Sequence, residues 1–205
     1  MSLAVDRYEL GPVGTNCYVV RREEGAPEAV VVDPGAPVDA ELPGECAGIL
    51  ITHSHWDHLG GVASYAARTG ASVYMPRLEA PVLAKPQDWF PEIELQPYAA
   101  DVLLDGGETL ELAGSSFETL NVPGHSPGHL AYYADGALFS GDVLFAGSVG
   151  RTDIPHADWP TLVASIRSLI ERFPPETVVY SGHGPETTLG AELERNPFLD
   201  QLRVS

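Results

Sequence analysis

The sequence predicts an α+β fold in which two β-sheets pack together and helices cover them from outside. Strand-like segments outnumber helix-like ones along the 205 residues. The two kinds intermix, and no repeat, low-complexity tract or linker divides the chain, so residues 1–205 read as one domain. Each sheet must bury at least one face, and two sheets with helices outside meet that requirement.

Ala4 to Leu10 and Thr15 to Arg22 read as strands joined by Gly11-Pro12-Val13-Gly14, with a turn over Glu23 to Pro27. Val30, Val31 and Val32 make Ala29 to Asp33 a short buried strand, stopped by Pro34-Gly35. Ala47 to Thr52 is another strand, and it delivers the chain into a histidine-rich loop. Gly60 to Arg68 reads as a helix ending near Gly70, and Ser72 to Met75 as a returning strand. The Pro-rich stretch 81–97, with Trp89 and Phe90 near its middle, reads as a long surface loop. Loops of that length usually serve something, and the alternatives are an active-site flap and a plain crossover. Thr109 to Leu112, Ser116 to Val122, His129 to Ala134 and Ala137 to Ser140 form a strand series with tight turns. Asp158 to Phe173 is the clearest helix, because Asp158 can cap it, Pro160 suits its first turn, and Leu162, Ile166, Leu169 and Phe173 form an apolar stripe. Thr177 to Ser181 is the last core strand, and Pro185 to Glu194 reads as a C-terminal helix.

Composition narrows the function. At 44% hydrophobic residues the chain has material for a substantial core. No apolar run approaches the roughly 20 residues needed to span a bilayer. Met1 to Arg7 resembles neither a signal nor a transit peptide, so a soluble cytoplasmic protein is expected. The formal net charge of -18 argues against nucleic acid and anionic membranes as partners. Cys17 and Cys46 are expected to be buried, reduced thiols. Nothing in the sequence sets the oligomeric state.

The chemistry concentrates in Thr52-His53-Ser54-His55-Trp56-Asp57-His58, where four metal-type side chains follow H-x-H-x-D-H spacing. Imidazole and carboxylate suit zinc, iron or manganese. His53 and His55 can share one side of an extended segment, but the adjacent Asp57 and His58 cannot both join them there. Two ions fit the spacing better than one. Three further candidates follow strands, each directly after a glycine: His125, Asp142 and His183. The expected arrangement places one ion on His53, His55 and His125, a second on Asp57, His58 and His183, and Asp142 between them. Three protein ligands and shared oxygens leave an open position on each ion, the mark of a catalytic site. Asp33 is expected to orient the histidine loop and His129 to support the site from behind.

These residues resemble the metallo-β-lactamase-fold superfamily: T-H-x-H-x-D-H at 52–58, then Gly124-His125, Gly141-Asp142 and Gly182-His183, in the family's order. The resemblance runs over nearly the whole chain and implies a four-layer αββα sandwich with a dinuclear site at the sheet edge. It also implies the same ligand assignments, two divalent ions with zinc first and iron or manganese as alternatives, and a small-molecule substrate. Gly14-Thr15-Asn16-Cys17-Tyr18, Val32-Asp33-Pro34-Gly35, the segment from Phe145 to Asp153, and Asn196-Pro197-Phe198-Leu199 are most similar to glyoxalase II-type hydrolases, particularly the short bacterial, hydroxyacylglutathione hydrolase-like form. That implies a thioesterase acting on S-(2-hydroxyacyl)glutathione or a related thiol ester. Arg151 would bind a substrate carboxylate, and Asp57 would double as a catalytic proton handler. A thiol has a pKa of about 8.5, so a thiolate leaves without much help from an acid. Longer members carry a C-terminal helical domain that supplies much of the glutathione site, and the residues after His183 are too few for it. The same motifs admit a mononuclear iron persulfide dioxygenase using His53, His125 and Asp142, or a lactonase or small-ester hydrolase.

Overall fold

The computed structural model describes residues 3–37 and 45–203. Its strands are β1 (Ala4–Leu10), β2 (Thr15–Arg21), β3 (Glu28–Val32), β4 (Glu45–Leu50), β5 (Val73–Pro76), β6 (Val102–Leu104), β7 (Thr109–Leu112), β8 (Ser115–Asn121), β9 (Leu130–Ala134), β10 (Ala137–Gly141), β11 (Leu144–Phe145), β12 (Ser148–Val149), β13 (Val178–Ser181) and β14 (Thr187–Thr188). The helices are α1 (Trp56–Leu59), α2 (Val62–Thr69), α3 (Ala80–Ala84), α4 (Trp159–Arg172) and α5 (Leu189–Arg195), with 3-10 turns at Pro86–Asp88 and Pro197–Leu202. One sheet runs β1-β2-β3-β4-β5-β6 and the other β14-β13-β10-β9-β8-β7, while β11 and β12 form a small hairpin.

Alternation along the strands sorts the apolar side chains into three layers of packing. Tyr18, Val20, Val30, Val32 and Leu50 of the first sheet meet Phe117, Leu130, Tyr132 and Phe139 of the second, filling the sandwich. The opposite faces of the same strands present Val19, Val31, Ile49 and Ile51 to Val62, Tyr65, Ala66, Val82 and Leu83 of the helical layer. On the far side, Ala131, Leu138 and Val179 pack under Leu162, Ile166, Leu169 and Leu189. The result is the expected αββα order. Strands buried on both faces need continuous apolar runs, which is why Val30 to Val32 and Ile49 to Ile51 are unbroken.

Several sequence expectations change. The 81–97 stretch is not a free surface loop. α3 and the Pro86–Asp88 turn fold within it, and Val82, Leu83 and Leu95 are buried. Gln87 donates to the Leu95 carbonyl at 2.9 Å and the Tyr98 N–H to that of Leu83 at 3.0 Å. It is the crossover between the parallel strands β5 and β6, shortened to two turns by its prolines. The C-terminal helix begins later than its sequence suggests. Gly184-Pro185 stays outside it, β14 pairs with β13, and the Thr188 side chain caps α5 by accepting from Ala191 N–H. The β11–β12 hairpin and β6 are too short to show a periodic pattern. Both cysteines are free, Cys17 buried and Cys46 only partly so. Among the described residues no helix is long and apolar enough to cross a membrane.

Candidate metal centre

Each ligand-type side chain follows the end of a strand. β4 leads into 52–58, β8 into His125, β10 into Asp142 and β13 into His183. β10 and β13 are parallel neighbours, so Asp142 and His183 leave the second sheet side by side. The first part of the histidine motif is extended, but Trp56 to Leu59 form one helical turn, with the His58 N–H donating to the His55 carbonyl at 2.9 Å. That turn answers the spacing problem: adjacent residues on a helix point about 100° apart, so Asp57 and His58 can face one space while His53 and His55 face another.

All seven predicted residues converge. His53, His55, His125 and Asp142 form one set and Asp57, His58 and His183 a second, and within each set the ligand-type atoms lie within 4.8 Å of one another. In the first, His53 Nε2 is 3.0 Å from His55 Nδ1, which is 2.8 Å from His125 Nε2. In the second, Asp57 Oδ2 is 3.2 Å from His183 Nε2 and 3.7 Å from His58 Nε2. Asp142 lies between the sets, with Oδ1 3.4 Å from His58 Nε2 and Oδ2 3.5 Å from His125 Nε2 and 3.6 Å from His183 Nε2.

Partners on the outer side of the rings fix which nitrogen faces inward. His125 Nδ1–H donates to the Arg151 carbonyl at 2.9 Å. His58 Nδ1–H donates to Asp33 Oδ2 at 2.9 Å. The Thr52 hydroxyl donates to Asp33 Oδ2 at 2.6 Å, so it accepts from His53 Nδ1–H at 3.0 Å. In all three rings the proton is on Nδ1 and the Nε2 lone pair points into the centre. Asp33 takes a left-handed φ of 48° at the end of β3 and also accepts from the Thr52 N–H at 2.8 Å, so it orients the loop as expected. His129 stacks on His53 and accepts the Asp142 N–H at 3.1 Å, the expected supporting role.

The donor set fits divalent ions. His58 Nε2 and Asp142 Oδ1 are buried with no hydrogen-bond partner, a costly state unless something else satisfies them. Burial, and after it the neighbouring imidazoles, holds the pKa of His53 well below the usual histidine value and brings His55 to about 4; burial also lowers His125. All three are neutral, as ligands must be. Burial alone would raise Asp57, but His183, His58 and the Thr15 hydroxyl bring it to about 2. Asp142 is likewise held below the usual carboxylate range against its burial, by His58, His125 and His183. His58 is raised against its burial by Asp142 and Asp33, and His183 by its bond to Asp57. Two carboxylates therefore face the space, and their pull toward positive charge on His58 and His183 is one that a divalent ion would satisfy. Glycine before the ligands is a packing requirement: a Cβ on Gly182 would lie 2.1 Å from Asp142 Oδ1, and one on Gly141 2.5 Å from Thr52 Oγ1.

Sequence reasoning missed several supports. Thr15 donates to Asp57 Oδ2 at 2.8 Å, and Asn16 and Tyr18 hold the His183 loop through the Ser181 carbonyl. Those residues lie in a segment noted only for its resemblance. Glu79 gave no signal. Arg151 is exposed and paired with Asp153 at 2.9 Å. Its side chain has no ligand-type partner here, while its carbonyl orients His125.

The chain matches the family model of the metallo-beta-lactamase superfamily over residues 10–183. It is 32% identical over 198 residues to hydroxyacylglutathione hydrolase GloC of Haemophilus influenzae, covering 90% of this chain and 92% of that protein. The solved BLEG-1 B3 metallo-beta-lactamase superposes with a TM-score of 0.87 at 37% identity, over 96% of this chain and 100% of that one. The structure of TTHA1623 in a di-iron-bound form superposes with a TM-score of 0.79 at 39% identity, over 95% of this chain and 100% of that one.

Proposed function

The chain belongs to the metallo-beta-lactamase superfamily, and we propose that it is a metal-dependent hydrolase of thioesters of the S-(2-hydroxyacyl)glutathione type. The observation that carries this reading is the pair of half-sites joined by Asp142, with His58 Nε2 and Asp142 Oδ1 buried 3.4 Å apart and without a hydrogen bond at the shared space. In this assignment His53, His55 and His125 would hold one ion and Asp57, His58 and His183 the other, with Asp142, which lies between the two groups, as a further ligand. Two bound divalent ions, zinc first and iron as the alternative raised by the di-iron relative, supply a water acidic enough to attack at neutral pH and a Lewis acid for the scissile carbonyl.

The chain's own groups do the rest. Asp57 accepts and passes on the proton released in turnover, and the Thr15 hydroxyl fixes its carboxylate for that role. The thiol carrier lies in a groove of about 440 Å³ lined by Gly150, Arg151, Asp153, Trp159 and Phe198. Groove and centre share a wall, because Gly150 packs on the Asp142 carbonyl and the Arg151 carbonyl holds His125. Arg151 binds a substrate carboxylate by exchanging Asp153 for it, and both are exposed enough to do so. A thiolate leaving group suits a centre whose histidines are all committed as ligands. A β-lactam is the second reading, favoured by the 37%-identical B3 relative, and its leaving nitrogen needs a proton.

The test is elemental analysis of protein purified without added metal, then turnover of S-lactoylglutathione, a cephalosporin and glutathione persulfide at matched metal loading. Two ions per chain with thioester cleavage support the proposal. One iron with oxygen uptake on the persulfide, or a preference for the cephalosporin, rejects it. His55→Ala and Asp142→Ala are expected to lose both metal and hydrolysis, and thioesterase activity surviving in either refutes the assignment.

A further inference from the structure

Glu79 stands between β5 and α3 and is only 4% exposed, yet no cation accompanies it among the described residues. It sits at the helix N-cap without capping α3. Its carboxylate turns away to two distant loops. Oε2 accepts from the Ser54 N–H at 3.2 Å and from the Ser54 hydroxyl, and Oε1 accepts from the Gly128 N–H at 2.8 Å. Ser54 separates His53 from His55, and Gly128 lies between His125 and His129. Gly128 has to be glycine for this contact, since a Cβ there would come 2.9 Å from Glu79 Cγ.

One buried carboxylate thus ties together the two loops that carry all three imidazoles of the first half-site. The second half-site has different supports: Thr15 for Asp57, Asp33 for His58, and Asn16 and Tyr18 for the His183 loop. A buried carboxylate is tolerated only when hydrogen bonds satisfy it, and here three donors from the ligand loops do so. We infer that Glu79 is a positioning residue that sets the metal affinity of the His53–His55–His125 half-site and not that of the Asp57–His58–His183 half-site. This rests on the metal centre but not on the choice of substrate.

Glu79→Gln is the informative change. The amide keeps the volume but has one acceptor oxygen, so either Ser54 or Gly128 meets an N–H₂ group with its own N–H. It is made in two backgrounds, His183→Ala, which leaves the first half-site intact, and His125→Ala, which leaves the second. Zinc affinity is read by competition with a chromophoric chelator, and the melting temperature of the metal-free protein alongside. Glu79→Gln is expected to weaken zinc roughly 10- to 100-fold in the His183→Ala background, the usual cost of losing an outer partner, with little change in the His125→Ala background. Equal weakening in both, or none in either, overturns the inference. If Glu79→Gln does not fold, Ser54→Ala removes one of the three contacts in the same backgrounds and must show a smaller effect with the same asymmetry. A wild-type protein that binds no zinc overturns it together with the centre, whereas inactivity on thioesters does not touch it.

Discussion

Asp33→Asn tests whether outer partners control the centre through histidine tautomers. Asp33 Oδ1 accepts the Thr52 N–H at 2.8 Å, while Oδ2 accepts the Thr52 hydroxyl at 2.6 Å and His58 Nδ1–H at 2.9 Å. An asparagine keeps its oxygen on the Thr52 N–H, because the reverse orientation would set donor against donor. Its N–H₂ group then donates to the Thr52 hydroxyl and to His58 Nδ1. The hydroxyl turns its proton to His53 Nδ1, and both rings must carry their own proton on Nε2, facing inward. One substitution thus misprotonates one ligand in each half-site. The expected loss is roughly 10- to 100-fold in affinity at each, or about 1.4 to 2.7 kcal/mol. The number of buried hydrogen bonds is unchanged, so the metal-free protein should keep its stability within about 1 kcal/mol. Competitive zinc titration and urea unfolding of the metal-free protein measure the two quantities. Affinity within about threefold of wild type (roughly 0.7 kcal/mol) at both half-sites refutes the tautomer argument. A loss of affinity matched by a loss of stability shows that the loop has simply come apart.

Gly182→Ala puts a methyl group 2.1 Å from Asp142 Oδ1 and 2.7 Å from His58 Cε1, so the shared carboxylate must move. Elemental analysis should find less than the wild-type metal content while far-UV circular dichroism stays unchanged; full occupancy contradicts the close packing. Leu162→Ala removes a fully buried side chain of α4 and should cost about 2–5 kcal/mol in urea unfolding with an unchanged m-value.

The long or capped elements were legible in the sequence, and so was the ligand set. Asp158 accepts from the Thr161 N–H at 2.9 Å at the head of α4, as its position before Pro160 suggested. The glycine before each of His125, Asp142 and His183 marked a strand end in a crowded place. The misses share a cause. Glu79, Thr15, Asn16 and Tyr18 act over separations of 25 to 165 residues, and no local pattern distinguishes such a residue from a cap, a turn or a strand position. The 81–97 stretch is the crossover, one of the two alternatives its sequence left open, but not a surface loop: Pro86 and Pro91 suggest one, whereas Val82, Leu83 and Leu95 anchor the segment in the core. Arg151 points the other way: its charge drew attention to the side chain, which pairs with Asp153, whereas its contact with the metal centre is made by its carbonyl.

The centre is a joint between the two sheets, and its geometry depends on how they are registered. The first sheet delivers His53, His55, Asp57 and His58 from the end of β4, and the second delivers His125, Asp142 and His183 from β8, β10 and β13. The bonds that cross between sheets gather at this end. Leu130 N–H donates to the Thr52 carbonyl at 2.9 Å and the Tyr132 hydroxyl to that of Ile51 at 2.7 Å. The Tyr18 hydroxyl and the Asn16 amide donate to the Ser181 carbonyl at 2.7 Å and 2.9 Å, and the Asn16 N–H donates to that of Gly182 at 2.7 Å. A one-residue slip in any of these strands would turn its ligand loop away and send its core side chains to the wrong face. The apolar alternation that builds the sandwich therefore also sets the ligand positions, and an ion meets a site whose ordering cost was met by folding. Whatever affinity remains then adds to stability by mass action, because the unfolded chain does not hold the two halves together.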